Sequence, residues 1–339
     1  MVVVSEARAV RTVCEAVAPT QGWTPKWTAV VVTYNNPEML ENVLKDLDRQ
    51  TIKPHEIIVV DNSDRSAARV KAGQKFPPVV FVDMPENVGT AGGFHEGLKR
   101  AVPYCDFVLT LDDDVRMRVD SVAELCRGYL NLQKGNHRLG AVRAVGARHG
   151  RSAPCRVDDF AWRGTLISTE AIRRVGWPLP DYFMYADDVE FSMQLADWGY
   201  EVFDIPRSKI MEQRTWDKPS RRVFGRRVIC YDEDFRFYYA FRNSIHAYKK
   251  HRRHRALLRT LTYALKMLLF FTLVHRTGGW PTLRTIGRGV IDGVRSHLGK
   301  NDRYLPGPLP PLRGEEGQRG AVGTGAVVFS VPGRKGSYV

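Results

Sequence analysis

The feature that most constrains this chain is a series of short, uninterrupted apolar runs separated by helix-period segments. The runs are Ala29–Val32, Ile57–Val60 (IIVV), Val79–Val82 (VVFV) and Phe107–Leu111 (FVLTL), each bounded by polar residues. A strand with no polar alternation must be covered on both faces, which favours a parallel sheet between helical layers. The intervening segments supply those layers. Met39, Leu40, Val43, Leu44 and Leu47 recur at helical spacing, with Asn36 placed as N-cap and Pro37 at the first helical position. A second helix is expected around Phe94–Ala101, after the glycine-rich turn Asn87–Gly93. Polar triplets follow three of the runs: Thr33-Tyr34-Asn35, Asp61-Asn62-Ser63 and Asp112-Asp113-Asp114. Open α/β sheets bind ligands at the carboxyl ends of their strands, where these triplets fall.

Further along, Phe160–Ser168 reads as a strand, and Thr169–Val175 as a short helix stopped by Gly176. Asp187 and Asp188 open a helix that carries Phe191, Leu195 and Trp198 on one side and closes at Gly199. Beyond Pro206 the pattern reads as helical and basic, and from Leu305 proline and glycine predict a disordered tail. The expected organisation is an irregular leader over 1–27, an α/β ligand-binding domain over 28–215, a basic helical extension over 216–304 and the tail over 305–339.

Charge narrows the partners. Lys+Arg 51 against Asp+Glu 37 gives a formal net charge of +14, and the basic residues crowd 207–300 while the acidic motifs lie upstream. Nucleoside diphosphates and phospholipid headgroups fit an anionic partner. Nucleic acid is not expected, because no recognised binding module accompanies the charge. Five scattered cysteines without a CxxC pair suit reduced thiols in a cytoplasmic protein. No signal peptide is expected, and the apolar Leu261–Val274 is short for a bilayer span and interrupted by Lys266.

Asp112, Asp113 and Asp114 are the sharpest chemical signal. Adjacent carboxylates repel one another unless solvated or neutralised, and oxygen-only ligands suit Mg²⁺ or Mn²⁺ together with phosphate oxygens. In extended geometry Asp112 and Asp114 point one way and Asp113 the other; the competing reading is an acidic turn in solvent. Asp61 is suited to accept hydrogen bonds from a base or ribose, or else to make a turn. The segment Asn87–Phe94 lacks GxGxxG spacing, and its glycines suit close approach to a nucleotide or sugar. Asp187 and Asp188 suit either a general base or helix-dipole stabilisation. Lys249–Arg255 followed by the apolar run fits an interfacial anchor and equally a basic helix packed on the α/β domain.

Taken in order, the motifs VVVTYNNPEML, IIVVDNSD, ENVGTAGGFHEGL, FVLTLDDDV, FAWRGTLISTEAIRRVGWP, DYFMYADDVEF and FYYAFRNSI resemble glycosyltransferase family 2, of the GT-A fold. The resemblance runs from about Thr28 to His246 and is closest to bacterial galactofuranosyltransferases and rhamnosyltransferases. It implies an inverting transfer from a UDP- or dTDP-sugar to a glycan, lipid-linked or small-molecule acceptor. On the nucleotide sugar it places Thr33, Asp61, Asn87, Gly89, Gly92 and Asp113. Asp112 and Asp114 would hold Mn²⁺ or Mg²⁺. Asp188 would be the general base, with Asp187 its rival, and Trp162, Arg163 and Gly164 would lie by the acceptor. Arg242 and Asn243 match a pattern of the family without a derived role. One departure stands out: the segment Ser208–Gln213 lacks the histidine that relatives supply as a third metal ligand, leaving Glu212 or water to replace it. The scattered thiols and the basic segment beside the apolar run fit a cytoplasmic protein, with peripheral contact on the inner face of the membrane as one option. A sugar-phosphate nucleotidyltransferase would usually carry a Gly-rich, basic loop after the first strand, which TYNNPEM is not; a non-catalytic nucleotide- or membrane-binding scaffold is the third reading.

Overall fold

The computed structural model describes residues 25–63, 79–146, 150–213, 220–223, 226–231, 235–274, 280–305 and 326–328. Its centre is a nine-stranded mixed sheet in which β1 (Trp27–Thr33), β2 (Glu56–Asp61), β3 (Val79–Asp83) and β4 (Phe107–Asp112) run parallel in the order β3-β2-β1-β4. Beyond β4 the sheet continues through β8 (Thr165–Ser168), β6 (Leu139–Gly146), β9 (Glu201–Glu212) and β5 (Val115–Met117), and β7 (Cys155–Val157) pairs with β9.

Every residue of β1 is buried, as expected for a strand covered on both faces. Ala29 and Val31 face one layer with Leu40, Val43 and Leu44 of α1 (Pro37–Asp48) and Val122 and Leu125 of α3 (Ser121–Lys134). Val30 and Val32 face the other, with Phe94 and Leu98 of α2 (Gly89–Ala101), Ile172 of α4 (Thr169–Val175) and Phe191 of α5 (Asp187–Asp197). The result is a helix–sheet–helix α/β architecture, as the resemblance implies. Three described cysteines, Cys105, Cys126 and Cys155, are free thiols.

Several expectations change. The first strand begins at Trp27, inside the span read as leader, while residues 1–24 lie outside the described set. Asn36 occupies the N-cap position of α1, but its side chain makes no cap and is drawn instead to Asp113. The second helix starts at Gly89 rather than near Phe94. Only 165–168 of the expected strand 160–168 is extended, because Gly164 takes a left-handed φ of +69°.

The largest correction follows Pro206. The chain stays extended as β9 to Glu212, and its register against β6 jumps between the Ala144–Ile205 and Val145–Lys209 pairs. The missing N–H of Pro206 falls in that irregularity, where no ladder bond is lost. An antiparallel pair follows, β10 (Ser220–Val223) and β11 (Arg226–Tyr231). The basic extension is therefore helical only from α6 (Phe235–Lys250) through α7 (His254–Val274) and α8 (Trp280–Arg295), which share a core of Phe237, Phe241, Tyr263, Met267 and Ile286. Of the tail, β12 (Ala326–Val328) pairs with β11; residues 306–325 and 329–339 lie outside the described set.

Candidate active site

The parallel register places Thr33, Asp61 and Asp112 at the same edge, since Thr33 pairs with Asp61 and Val32 with Asp112. Asp61 is almost wholly buried. Its Oδ1 accepts the Ser63 N–H at 2.9 Å, while Oδ2, also buried, has no hydrogen-bond partner among the described residues. A buried carboxylate oxygen without a donor is costly, and a ligand hydroxyl or N–H would satisfy it. Ser63 Oγ accepts the Asn35 N–H at 2.8 Å, tying the ends of β1 and β2 together around that oxygen.

The aspartate triplet divides its work. Asp113 turns inward: Oδ2 accepts from Thr33 Oγ1 at 2.7 Å and Tyr34 N at 3.3 Å, and Oδ1 from Asn36 Nδ2 at 3.2 Å. It spends its carboxylate on the β1 loop rather than facing a donor as expected, and burial, against those hydrogen bonds, lifts its pKa to about 6. Asp112 is pushed well above the ordinary carboxylate range by desolvation and by repulsion from Asp114, with Arg163 opposing the shift. Its side chain is still 33% exposed, so solvent moderates that shift. Gln213 fastens the turn, its N–H donating to the Asp114 carbonyl at 2.7 Å and its amide to the Met39 carbonyl at 3.2 Å.

Two oxygen donors at a strand end, crowded enough to hold a proton against repulsion, suit a hard divalent cation that keeps phosphate oxygens and water in its shell. Among the described residues no group of three His, Cys, Asp or Glu side chains is placed to hold a metal. Glu212 does reach this edge, opposite Val115, but its carboxylate is engaged by the guanidinium of Arg163, which also lies 4.0 Å from Asp112. Arg163 therefore supplies the positive charge between these carboxylates.

Across the edge lie Asp187 and Asp188. Asp187 is buried and accepts the Trp162 indole N–H at 2.7 Å. Burial and the adjacent Asp188 lift its pKa to about 7. Asp188 is half-buried, and Asp187 lies near enough to Asp112 to contribute to the rise there. Trp162 itself is enclosed by Phe94 (centroids 4.8 Å apart), Phe160 and Phe191, so it reaches the site through Asp187 and offers no open face to an acceptor. Gly164 likewise is buried in the sheet: its N–H donates to Thr110, and a Cβ there would lie 2.9 Å from Ile210.

The glycine-rich segment also differs from the expectation of backbone laid against a ligand. A Cβ on Gly89 (φ +72°) would fall 1.9 Å from the Phe183 carbonyl oxygen, and one on Gly92 2.7 Å from Val88. Gly93 and Gly97 meet Val32 and Val30 in the same way. These glycines let α2 close onto β1 and onto the loop that precedes Asp187. Asn87 makes an Asx contact, its Oδ1 accepting the Gly89 N–H at 2.8 Å, and Asn62 donates to the Gly89 carbonyl at 3.0 Å. Sequence reasoning missed Asn36 and Gln213 as site-building residues; neither carries a motif signal beyond its position beside one.

Residues 28–136 match the family model Glycosyl transferase family 2. Over those residues the chain is similar to family 2 glycosyltransferases. Among relatives, it is 34% identical to the glycosyltransferase YwdF of Bacillus subtilis over 89 residues, covering 26% of this chain and 32% of YwdF. It is 24% identical to the galactofuranosyltransferase GlfT1 of Mycolicibacterium smegmatis over 243 residues, covering 63% of this chain and 80% of that protein. The chain thus spans about a third of the first relative and four fifths of the second. The solved mannosyltransferase PcManGT of Pyrobaculum calidifontis, in complex with GDP-Man and Mn²⁺, shares the fold at TM-score 0.53 and 18% identity, covering 83% of this chain and 78% of that one.

Proposed function

We propose that this protein is an inverting glycosyltransferase that uses a nucleoside diphosphate sugar, with UDP-galactofuranose and dTDP-rhamnose the favoured donors. The acceptor would be a hydroxyl of a glycan, a lipid-linked glycan or a small natural product. The observation that carries the reading is the pairing of two carboxylate groups across one sheet edge, Asp112 with Asp114 and Asp187 with Asp188, beside the unpartnered Asp61 oxygen. Asp61 would take the base or ribose, with Thr33 and Asn87 shaping that end. Asp112 and Asp114 would hold Mn²⁺ or Mg²⁺, which when bound supplies positive charge against the diphosphate.

Asp188 acts as general base. It accepts the acceptor hydroxyl proton while that oxygen bonds to the anomeric carbon, and the bond from that carbon to the diphosphate oxygen breaks on the opposite side. Asp187, held by Trp162, positions the helix start and withholds a second full charge near neutral pH. Arg163 bridges toward the acceptor side with a cation that balances Asp112 and Glu212.

Incubation with nucleotide sugars and MnCl₂ tests the assignment. Nucleoside diphosphate release supports transfer, whereas pyrophosphate release would mark a nucleotidyltransferase. Asp188→Asn is expected to abolish turnover with UDP binding retained, and wild-type turnover in that variant sinks the role of Asp188.

A specific surface favours peripheral membrane contact as part of the same reading. On α7, Leu258, Leu265 and Leu269 are exposed (66%, 57% and 53%) and interleaved with exposed Arg255, Arg259 and Lys266. The helix has no acidic residue, so this face suits anionic headgroups with leucines at the acyl boundary. Among the described residues no helix is long and apolar enough to cross a membrane. Flotation with phosphatidylglycerol vesicles, lost in Leu258→Asp, is the expected result; equal recovery of both proteins without lipid refutes it.

A further inference from the structure

The loop that delivers Asp187 and Asp188 is held in an unusual backbone. Phe183, Tyr185 and Ala186 have φ of 62°, 64° and 59°, three left-handed non-glycine residues within four positions. Such residues persist only where the surroundings over-determine them. Here the surroundings are two side chains of one helix.

Asn243, fully buried on α6, donates its amide to the carbonyls of Tyr182 at 2.9 Å, Met184 at 2.7 Å and Tyr185 at 2.8 Å. Two N–H bonds are thus shared among three carbonyls that a regular turn would not bring together. Its neighbour Arg242, also fully buried, donates Nε to Asn243 Oδ1 at 2.7 Å and fixes which way that amide points. The rest of the guanidinium reaches the carbonyls of Asp181 (3.3 Å), Tyr182 (3.0 Å) and Gly299 (2.5 Å) and lies 4.7 Å from the centroid of the Tyr239 ring. Among the described residues no carboxylate forms an ion pair with it; its charge is spent on backbone carbonyls.

The helix bearing this pair is itself braced. Cβ atoms on Gly289 and Gly293 of α8 would lie 2.7 Å from the Tyr238 carbonyl and 2.6 Å from the Arg242 carbonyl, so α8 packs directly on the backbone of α6. Farther along α6, His246 meets the Tyr182 hydroxyl at 2.8 Å. Lys250 at its end and the adjoining His251 engage buried Glu190 of α5 at 2.6 and 2.9 Å. From the other side, the Phe183 carbonyl accepts the Ala91 N–H at 3.1 Å in the space left by Gly89.

We infer that Arg242 and Asn243 are positioning residues that hold loop 181–186 in its left-handed course and so set where Asp187 and Asp188 stand. Among the described residues, no hydrogen bond or ion pair joins this pair to β1 or β2, where the proposed nucleotide end is built. What the loop delivers, a general base, rests on the transferase reading; that the pair shapes the loop does not.

The experiment compares wild type with Asn243→Ala and Arg242→Lys, the second retaining charge while losing the fork. Hydrogen exchange of the full chain without ligand is expected to show amides 184–190 at least about tenfold less protected in either variant, with the strands β1, β2 and β4 unchanged. UDP affinity, measured by calorimetry with MnCl₂, should stay within about twofold, while kcat for UDP release from an accepted UDP-sugar falls about tenfold or more. If Asn243→Ala does not fold, Arg242→Lys carries the same comparison. Unchanged exchange over 184–190, or a loss of protection spread evenly through α6 and the sheet, overturns the inference. A wild type inactive on every donor, with the local exchange change present, refutes the transferase reading and leaves the positioning role standing.

Discussion

Gly89→Ala gives the most direct physical test of how the site is assembled. Gly89 has φ +72°, and a Cβ there would fall 1.9 Å from the Phe183 oxygen, 2.6 Å from its carbonyl carbon and 2.8 Å from its ring. Two costs add. An alanine in the left-handed region is disfavoured by about 1 kcal/mol, and forcing atoms into a packed interior typically costs about 1–3 kcal/mol. The clash is with backbone, and that backbone cannot drift freely, since the Phe183 carbonyl accepts from Ala91 and the next carbonyls are held by Asn243. A loss of about 2–4 kcal/mol should lower Tm by about 4–16 °C. Gly287→Ala is the matched control. It lies within α8 with nothing within 4 Å of its added Cβ, and it should stabilise by about 0.5–1 kcal/mol through helix propensity. Differential scanning fluorimetry of both variants reads the contrast. If Gly89→Ala melts within about 1 °C of wild type, the Phe183 approach is not the constraint the geometry describes.

Two further outcomes follow from the carboxylates. Asp61→Asn keeps the shape and the Ser63 contact but replaces the unpartnered acceptor with a donor. UDP should bind about 10–100-fold more weakly, the scale of a hydrogen bond to a charged group, and unchanged titration isotherms would exclude Asp61 from the nucleotide site. Stability should fall as pH rises. Asp113 and Asp187 have folded pKa values raised to about 6 and about 7, so their favourable contribution is complete below the ordinary value of 3.8 and is lost as pH climbs through those values. His251, raised by Glu190 and Asp197, adds loss in the same direction above 6.5; Glu190, lowered by His251 and Lys250, acts oppositely and only toward acid pH. Metal-free Tm is therefore expected to be lower at pH 8 than at pH 5.5. Mn²⁺ should restore more at pH 8, where protons do not compete for Asp112 and Asp114. A flat melting profile with no Mn²⁺ response contradicts both halves.

Much of this site was legible in the chain because its parallel strands are short, apolar and terminated by side chains that carry chemistry. Burial on both faces leaves β1 without alternation, and IIVV before Asp61 and FVLTL before Asp112 set the strand ends that the register then aligns. The departures share one cause: they depend on partners distant in sequence. Pro206 reads as a breaker until β6 supplies a register shift to absorb it. The glycines from Gly89 to Gly97 read as room for a ligand until Phe183, Val32 and Val30 are seen to fill it. Asp187 and Asp188 are equivalent as text, and only Trp162, some 25 residues upstream, separates a buried, indole-bound carboxylate from a half-buried neighbour.

That distance also explains why the C-terminal helices belong to the site rather than merely adjoining it. Asp61 and Asp112 are placed by ladder hydrogen bonds, which any sequence of suitable strand-forming residues could provide. Asp188 has no such ladder. It follows a loop whose backbone disfavours three of its own residues, and the groups that hold that loop come from α6, across more than fifty residues of chain. The basic, apolar-faced helices can then serve two ends with one structure. On the proposed reading, α6 holds the loop before Asp188, the proposed base, and the exposed Leu258, Leu265 and Leu269 of α7 would meet a membrane that carries a lipid-linked acceptor. On that reading acceptor delivery and base placement would share a scaffold, while nucleotide recognition would stay with the parallel strands.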